Sequence, residues 1–405
     1  PDSTIYAQLI LRVETPEIVT DDVTIAYAVE EAHAAPADQV AFWTHAKSLT
    51  GQEMQSGTGL TGATLNGRLT FDDSLMAFYA EHLPLVPYRN DGSFNPYPRF
   101  NLEARDADTG DLLAQTTLVA PVSTEMGCKN CHGNAWKDQK QVGIDDHTAQ
   151  DILAVHDRIS KTNLLSSAQK GRPLLCQTCH PGNLPDVPGD DSRLSLSAAM
   201  HGFHANYLGD LGDDACSACH PSSSMGATHG FRGIHREIEL TCANCHLSLE
   251  DHALSLLAAE KKTGKTARAD VLMKQLVSSS VDTHDLVIPR TAWVNQPDCL
   301  NCHMEFEPPE TDQVEYATWT ETADQLYARR TDDAGIMCMA CHGATHAIYP
   351  ARNPYQEDLD NLQPLQYQGT PYPIGANGEC RVCHTIDMAD EIHHPNMLTE
   401  FRNTR

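Results

Sequence analysis

A single motif, Cys-x-x-Cys-His, uses every cysteine of this chain and limits what the chain can fold into. The motif occurs seven times and accounts for all 14 cysteines. This spacing is typical of covalent haem c attachment, in which two thiols bond to the haem vinyl groups and the adjacent histidine binds the iron. The attachment cysteines are Cys128, Cys131, Cys176, Cys179, Cys216, Cys219, Cys242, Cys245, Cys299, Cys302, Cys338, Cys341, Cys380 and Cys383. The iron-binding histidines are His132, His180, His220, His246, His303, His342 and His384.

Zinc binding and disulfide formation are two other uses of paired cysteines. Neither requires a histidine directly after the pair, yet all seven pairs are followed by one. Seven haem c groups therefore explain the pattern best, and they leave no cysteine for a disulfide, a free nucleophile or another metal.

The part of the chain before the first motif has a β-like pattern. Residues 1–122 contain no cysteine, and we expect them to form a small antiparallel, sandwich-like β domain. Apolar and polar residues alternate there as in half-buried strands, and one loop predicts a hairpin. The alternation covers residues 5–13, 23–29 and 100–104, and the hairpin loop at 106–110 leads into 112–119.

The second part, residues 123–405, predicts a heptahaem cytochrome c domain that is rich in loops and short helices, with little regular secondary structure. Its motifs are irregularly spaced, so it is not a strict sequence repeat. Helical patterns cover residues 197–208, 248–260 and 266–277, and a further short helix is expected at 40–47 in the first part.

The net charge and the chemistry of haem attachment limit the possible partners and cellular location of this protein. The net charge is −27, which argues against nucleic acid or anionic lipid as partners and favours solubility or attraction to a basic redox partner. Haem is attached outside the cytoplasm, so we expect an exported protein, extracellular or on the cell surface, with the periplasm as the alternative. The chain starts at Pro1 without a signal peptide, which is expected of a mature form. No apolar run is long enough to span a membrane.

Each iron needs a ligand on its second face, and fourteen further histidines are present. His156 and His252 each share an apolar helical face, which is expected to meet a haem. His201 and His204 are three residues apart on one helix, so they can reach two neighbouring irons. The expected distal set is His156, His201, His204, His235, His252, His346 and His394.

The remaining histidines are harder to place. His394 is favoured narrowly over His393, and the roles of His147, His229 and His284 stay open. Three more histidines lie in the first part of the chain and are interpreted as surface residues, although one of them can ligate a haem of a neighbouring molecule; they are His33, His45 and His82.

The seven motifs, the His201-Gly-Phe-His204 element and the cysteine-free β segment together resemble outer-surface (Omc-type) multihaem cytochromes of metal-reducing and syntrophic bacteria. The resemblance covers residues 125–396 well and the first 120 residues loosely. Some members of that class stack end to end into filaments. The resemblance therefore implies self-association into a homopolymer, with other redox proteins or extracellular electron acceptors as partners.

Two functions from different classes fit these features. The first is a non-enzymatic electron conduit built from mostly bis-histidine haems. The second is a reductase of a small nitrogen or sulfur oxyanion, which needs one haem with an open distal position. No motif ends in lysine, unlike the Cys-x-x-Cys-Lys site of some such enzymes, and enough histidines are present to close all seven irons. The conduit is therefore favoured, and a store of haem is a third, weaker alternative.

Overall fold

Antiparallel sheets form the first part of the chain, and short helices and 3-10 turns form the rest. This architecture confirms the predicted fold class. The computed structural model describes residues 3–122, 126–133, 143–182, 189–220, 231–306, 319–322, 325–353, 356–388 and 393–394.

The strands build three antiparallel sheets, with orders β1-β7-β6, β2-β3 and β5-β4-β8-β9. Their bounds are β1 Ser3–Ala7, β2 Leu9–Leu11, β3 Glu17–Val19, β4 Val23–Val29, β5 Asn66–Arg68, β6 Thr70–Asp72, β7 Ala77–Leu83, β8 Arg99–Asp106 and β9 Leu112–Val119. The segment 5–13, expected as one strand, is divided between β1 and β2, which pair with different partners. Alternation alone does not reveal a change of partner.

One core joins the largest sheet to the three-stranded sheet. Alternate residues of β4 and β8 point inward, among them Tyr27 and Phe100, and Phe100 is fully buried. Ile5 of β1 and Phe78 of β7 belong to the same buried cluster. The period of two seen in the sequence therefore marks the face on which the two sheets pack.

The helices within the described residues are mostly short. They are α1 Phe42–Thr50, α2 Asp146–Ser160, α3 Leu164–Gln169, α4 Leu196–Leu208, α5 Asp214–Ser217, α6 Ile234–Glu237, α7 Cys242–His246, α8 Leu249–Lys262, α9 Thr266–Met273, α10 Cys338–His342 and α11 Leu362–Gln368. None of these helices has the length and apolar character needed to cross a membrane.

A second core lies where α4, α8 and α9 pack together. Leu254 and Leu257 of α8 are fully buried there. Gly202 brings α4 close to α8, since a Cβ at that position would lie 3.0 Å from a methyl of Leu257. A serine caps the N-terminus of α4 and of α8. The side chain of Ser195 accepts from the amide of Ala198, and that of Ser248 accepts from the amide of Asp251. This packing fixes α4, which carries two candidate ligands.

The last motif is attached to the β-rich part. His384 pairs with Val13 in a parallel bridge, and the amide of Thr385 donates to the carbonyl of Val13 at 3.1 Å. Nε of Arg12 donates to the carbonyl of His384 at 3.2 Å. One end of the helical region is therefore held by backbone contacts to the sheets.

The buried aromatic core predicts that truncating a side chain on β8 destabilises the protein much more than truncating one on the neighbouring strand β9. We expect Phe100→Ala to destabilise the folded state by about 3–5 kcal/mol, because it removes a fully buried ring. Leu113→Ala on β9 is the control, because Leu113 is 52% exposed and its truncation should change stability by less than about 0.5 kcal/mol. Chemical denaturation followed by far-ultraviolet circular dichroism measures both, and equal effects would contradict the shared core.

Candidate multihaem centre

Each of the seven motifs, numbered 1 to 7 in chain order, folds as one tight turn. In motif 1 the amide of His132 donates to the carbonyl of Cys128 at 2.9 Å. Motifs 2, 3, 5 and 7 repeat this bond, while motifs 4 and 6 form the short helices α7 and α10. The turn holds the two cysteines and the histidine of a motif together, as attachment to a single haem requires.

Every motif histidine faces a second histidine from elsewhere in the chain. The ring centroids of these pairs are 5.8 to 6.4 Å apart. The pairs are His132–His204, His180–His156, His220–His201, His246–His346, His303–His235, His342–His394 and His384–His393.

This spacing fits two imidazoles bound to opposite sides of one metal ion. A histidine nitrogen lies about 2.0–2.1 Å from a bound transition metal, so two ring centroids across one ion are roughly 6.2 Å apart. Direct stacking would bring the rings closer than this. The seven pairs therefore fit bis-histidine iron, the arrangement that haem c attached at these motifs would use.

Hydrogen bonds at Nδ1 orient the rings of both the motif histidines and their partners. Nδ1 of His180 donates to the carbonyl of Leu194 at 2.8 Å, and Nδ1 of His384 donates to the carbonyl of Glu14 at 2.9 Å. Such bonds leave Nε2 free to coordinate a metal. Nε2 of His384 is buried without a hydrogen-bond partner, as expected for a metal ligand. The same pattern at Nδ1 recurs at His132, His156, His201, His204 and His393.

Burial keeps several of these rings neutral. It lowers the pKa of His201, His246 and His342 to about 4 in each case. A neutral imidazole keeps the lone pair that binds a metal, so these rings are ready ligands at neutral pH.

Shared helices place motifs 2, 1 and 3 side by side. Helix α2 carries His156, which faces motif 2, and Asp151, which accepts from Nδ1 of His132 in motif 1 at 3.0 Å. Helix α4 carries His204, which faces motif 1, and His201, which faces motif 3. The two histidines of α4 thus serve neighbouring motifs, in the arrangement that their spacing suggests.

Thiol contacts continue the row through motifs 4 and 5. A hydrogen bond with Cys242 of motif 4 raises the pKa of Cys216 in motif 3. Burial raises the pKa of Cys245 in motif 4 to about 11, and the neighbouring thiols Cys302 and Cys299 of motif 5 contribute. Motifs 3, 4 and 5 are therefore consecutive neighbours.

Motifs 5, 6 and 7 complete the row. Arg330 donates to the carboxylate of Asp298, next to motif 5, at 2.9 Å, and accepts at its carbonyl from the amide of Cys338 in motif 6. The consecutive residues His394 and His393 face motif 6 and motif 7. Across the described residues the spatial order is 2-1-3-4-5-6-7, which differs from chain order only at the first two motifs.

All seven expected distal histidines lie 5.8 to 6.4 Å from a motif histidine, ring centre to ring centre, and His393 is an eighth. Two of them, His252 at 6.1 Å and His346 at 6.4 Å, face the same motif histidine, His246. Nη2 of Arg290 lies 2.7 Å from Nδ1 and 2.8 Å from Nε2 of His252, so the guanidinium donates to the one ring nitrogen that carries the lone pair of the neutral imidazole. The His252 ring also lies 4.5 Å from His201 and 6.1 Å from His246. Because Arg290 competes for the lone pair of His252, we favour His346 as the partner of His246, and the place of His252 in the ligand set stays a prediction. The adjacent pair at 393–394 was a usable signal, because neighbouring histidines can face neighbouring motifs, as those of α4 do.

The other histidines have separate roles. His33 is 2% exposed rather than on the surface, because Nε2 lies 3.1 Å from the carbonyl of Asn95 and Nδ1 lies 3.1 Å from Glu30. Nε2 of His284 donates to the carbonyl of Leu276 at 3.0 Å. His45 and His147 are exposed, His82 is half-buried, and His229 lies outside the described residues.

Comparison with protein-family models, curated proteins and solved structures finds no significant match to this chain.

The assignment of His346 at motif 4 predicts that substitutions of His346 and of His252 have different effects on haem spin state. We expect His346→Gln to convert one of seven haems from low-spin to high-spin, because glutamine is a poor replacement for an axial imidazole. The matched change His252→Gln should leave all haems low-spin. Electron paramagnetic resonance of the ferric protein measures both, and the reverse result would make His252 the ligand at this site.

Arg290 predicts a shift in redox potential. It is 5% exposed, its guanidinium lies 4.2 Å from the centre of the Trp319 ring, and it contacts His252 between the histidines of motifs 3 and 4. Burial lowers its pKa to about 10, so it stays charged at neutral pH. A buried positive charge disfavours the ferric state, and hence Arg290→Gln should lower the potentials of the haems at these two motifs. Spectroelectrochemical titration measures the shift. The control is Arg290→Lys, which keeps the positive charge and should therefore leave the potentials close to those of the wild type.

Proposed function

We propose that this chain is an electron-transfer protein that carries seven covalently bound haem c groups, each with histidine on both sides of the iron. The observation that supports this most is the single row of seven opposed histidine pairs, each beside a Cys-x-x-Cys-His turn. Haem c supplies reversible one-electron exchange at its iron.

The residues of the chain favour conduction over catalysis. Two imidazoles hold both faces of each site, so a small substrate finds no open position at iron. Seven of the fourteen rings are oriented by hydrogen bonds at Nδ1, which preorganises them and limits movement during electron exchange. Because neighbouring pairs share α2, α4 and the segment 393–394, the chain keeps the sites in fixed order.

The setting follows from the attachment chemistry and is part of the proposal. Thioether formation takes place outside the cytoplasm, so the protein acts outside the cell, at its surface or in the periplasm. Other redox proteins or extracellular acceptors are its partners. Self-association into a conductive filament stays a prediction, tested by electron microscopy of native material, where a uniform filament supports it and only single particles reject it.

Spectroscopy tests conduction against catalysis. We expect the ferric protein to be fully low-spin and its spectrum to stay unchanged on addition of cyanide, nitrite or, after reduction, carbon monoxide. Haem content by the pyridine haemochrome method should equal seven per chain. A high-spin fraction that binds one of these ligands would support a reductase and contradict the proposal.

A further inference from the structure

Within the described residues, motif 2 lies at one end of the row. Its two cysteines, Cys176 and Cys179, are both exposed, whereas every other motif has at least one partly buried cysteine. Within the described residues its histidine faces only His156. An electron that enters or leaves the row can therefore do so here, provided that the proposed electron transfer holds.

Four positive residues lie close in sequence to motif 2 or to its partner His156. Arg158 lies two residues after His156, Lys161 follows α2, and Lys170 and Arg172 lie between α3 and Cys176. All four are exposed, and none belongs to an ion pair within the described residues. We call these four residues the motif 2 patch.

The local fold joins the two chain segments that carry the patch. Asp157 is the only carboxylate between residues 156 and 182. One of its oxygens accepts from the amide of Leu164 at 2.7 Å and the other from the amide of Leu165 at 3.0 Å, which joins α2 to α3. Two half-exposed apolar side chains, Ile159 and Leu174, lie along the same segment.

The patch is opposite in sign to the protein as a whole. The chain has 28 basic and 55 acidic residues, whereas the segment 156–182 has four basic residues and one acidic residue. At about 0.1 M ionic strength the Debye length is about 10 Å, so a docking protein feels the nearby patch more than the distant net charge. Complementary charge steers association and can raise its rate by about 10-fold or more.

We propose that the motif 2 patch is the docking surface for an electron-exchange protein that presents carboxylates around its own redox centre. The cations orient the acidic partner, and Ile159 and Leu174 provide apolar contact near the exposed motif. This local preference for an acidic partner is the reverse of what the net charge of the chain alone would suggest.

A matched pair of triple variants tests this surface. The patch variant is Lys161→Gln/Lys170→Gln/Arg172→Gln. The control is Lys262→Gln/Arg268→Gln/Lys274→Gln, which removes two lysines and one arginine from exposed positions on α8, on α9 and just after α9, where no motif lies. Arg158 is left unchanged because it is close to His156.

Stopped-flow reduction of the haem-loaded protein at about 0.1 M ionic strength is the measurement. The acidic donor is reduced plant-type ferredoxin, and the cationic donor is the methyl viologen radical cation. We expect the patch variant to lose about tenfold or more of its second-order rate constant with ferredoxin. Its rate with the viologen should stay the same or rise, and the control should match the wild type with both donors.

Three outcomes overturn the proposal. Equal losses in the patch variant and the control would show that only overall charge matters. Equal losses with both donors would show that the cations set a haem potential, for example by pairing with propionates. An unchanged ferredoxin rate with loss of a salt-sensitive self-association in sedimentation would show that the surface binds a second copy of this chain.

The same experiment separates this proposal from the proposed function. If the wild type carries its haems but neither donor reduces them, electron transfer itself fails. If both donors reduce the wild type and the patch variant behaves identically, only the docking surface fails. Haem content and circular dichroism of each variant, equal to those of the wild type, confirm that the comparison is made on folded protein.

Discussion

Seven pairs of imidazoles face each other at 5.8 to 6.4 Å, and most other features of the helical region hold those rings in place. A buried ring nitrogen costs about 1–3 kcal/mol unless it has a partner, and coordination to a metal provides one. Because Nδ1 of many rings already has a backbone or carboxylate partner, Nε2 is the nitrogen left for coordination. Ligand identity and ring orientation are thus fixed together by local structure.

Two rigid parts anchor this arrangement at different points along the row. The packed helices α4, α8 and α9 hold the rings that face motifs 1 and 3, and the contact at Gly202 sets how closely α4 approaches α8. The β-rich part holds motif 7 through the bonds between His384 and the chain around Val13. Between these anchors, short turns and single polar contacts such as Arg330 with Asp298 are enough, because each motif has only to meet its neighbours.

Local sequence patterns predicted much of this structure, but they could not predict contacts between residues that are far apart in the sequence. The strand at Val23–Val29, the hairpin into β9, the helix at Leu196–Leu208 and the placement of its two histidines against two different motifs all follow from periodicity within a few residues. His252 shows the limit. Its helical face is apolar, as for a ligand, but Arg290 comes from 38 residues further along the chain and donates to its imidazole. The burial of His33 against Asn95 likewise depends on a contact across 62 residues.

The order of the motifs gives the row two unlike ends, and this difference has a functional consequence. Motif 7 is covered by backbone contacts to the sheets, whereas motif 2 is exposed and lies among unpaired cations in an otherwise acidic chain. If the two ends of the row had the same exposure and charge, both would bind the same kind of partner. Here the cations near motif 2 give this end, within about a Debye length, a local charge opposite to the net charge of the chain. Since Arg158 lies on α2, which carries His156, and the other cations follow α2 and α3, the fold that completes the terminal site also marks it for recognition.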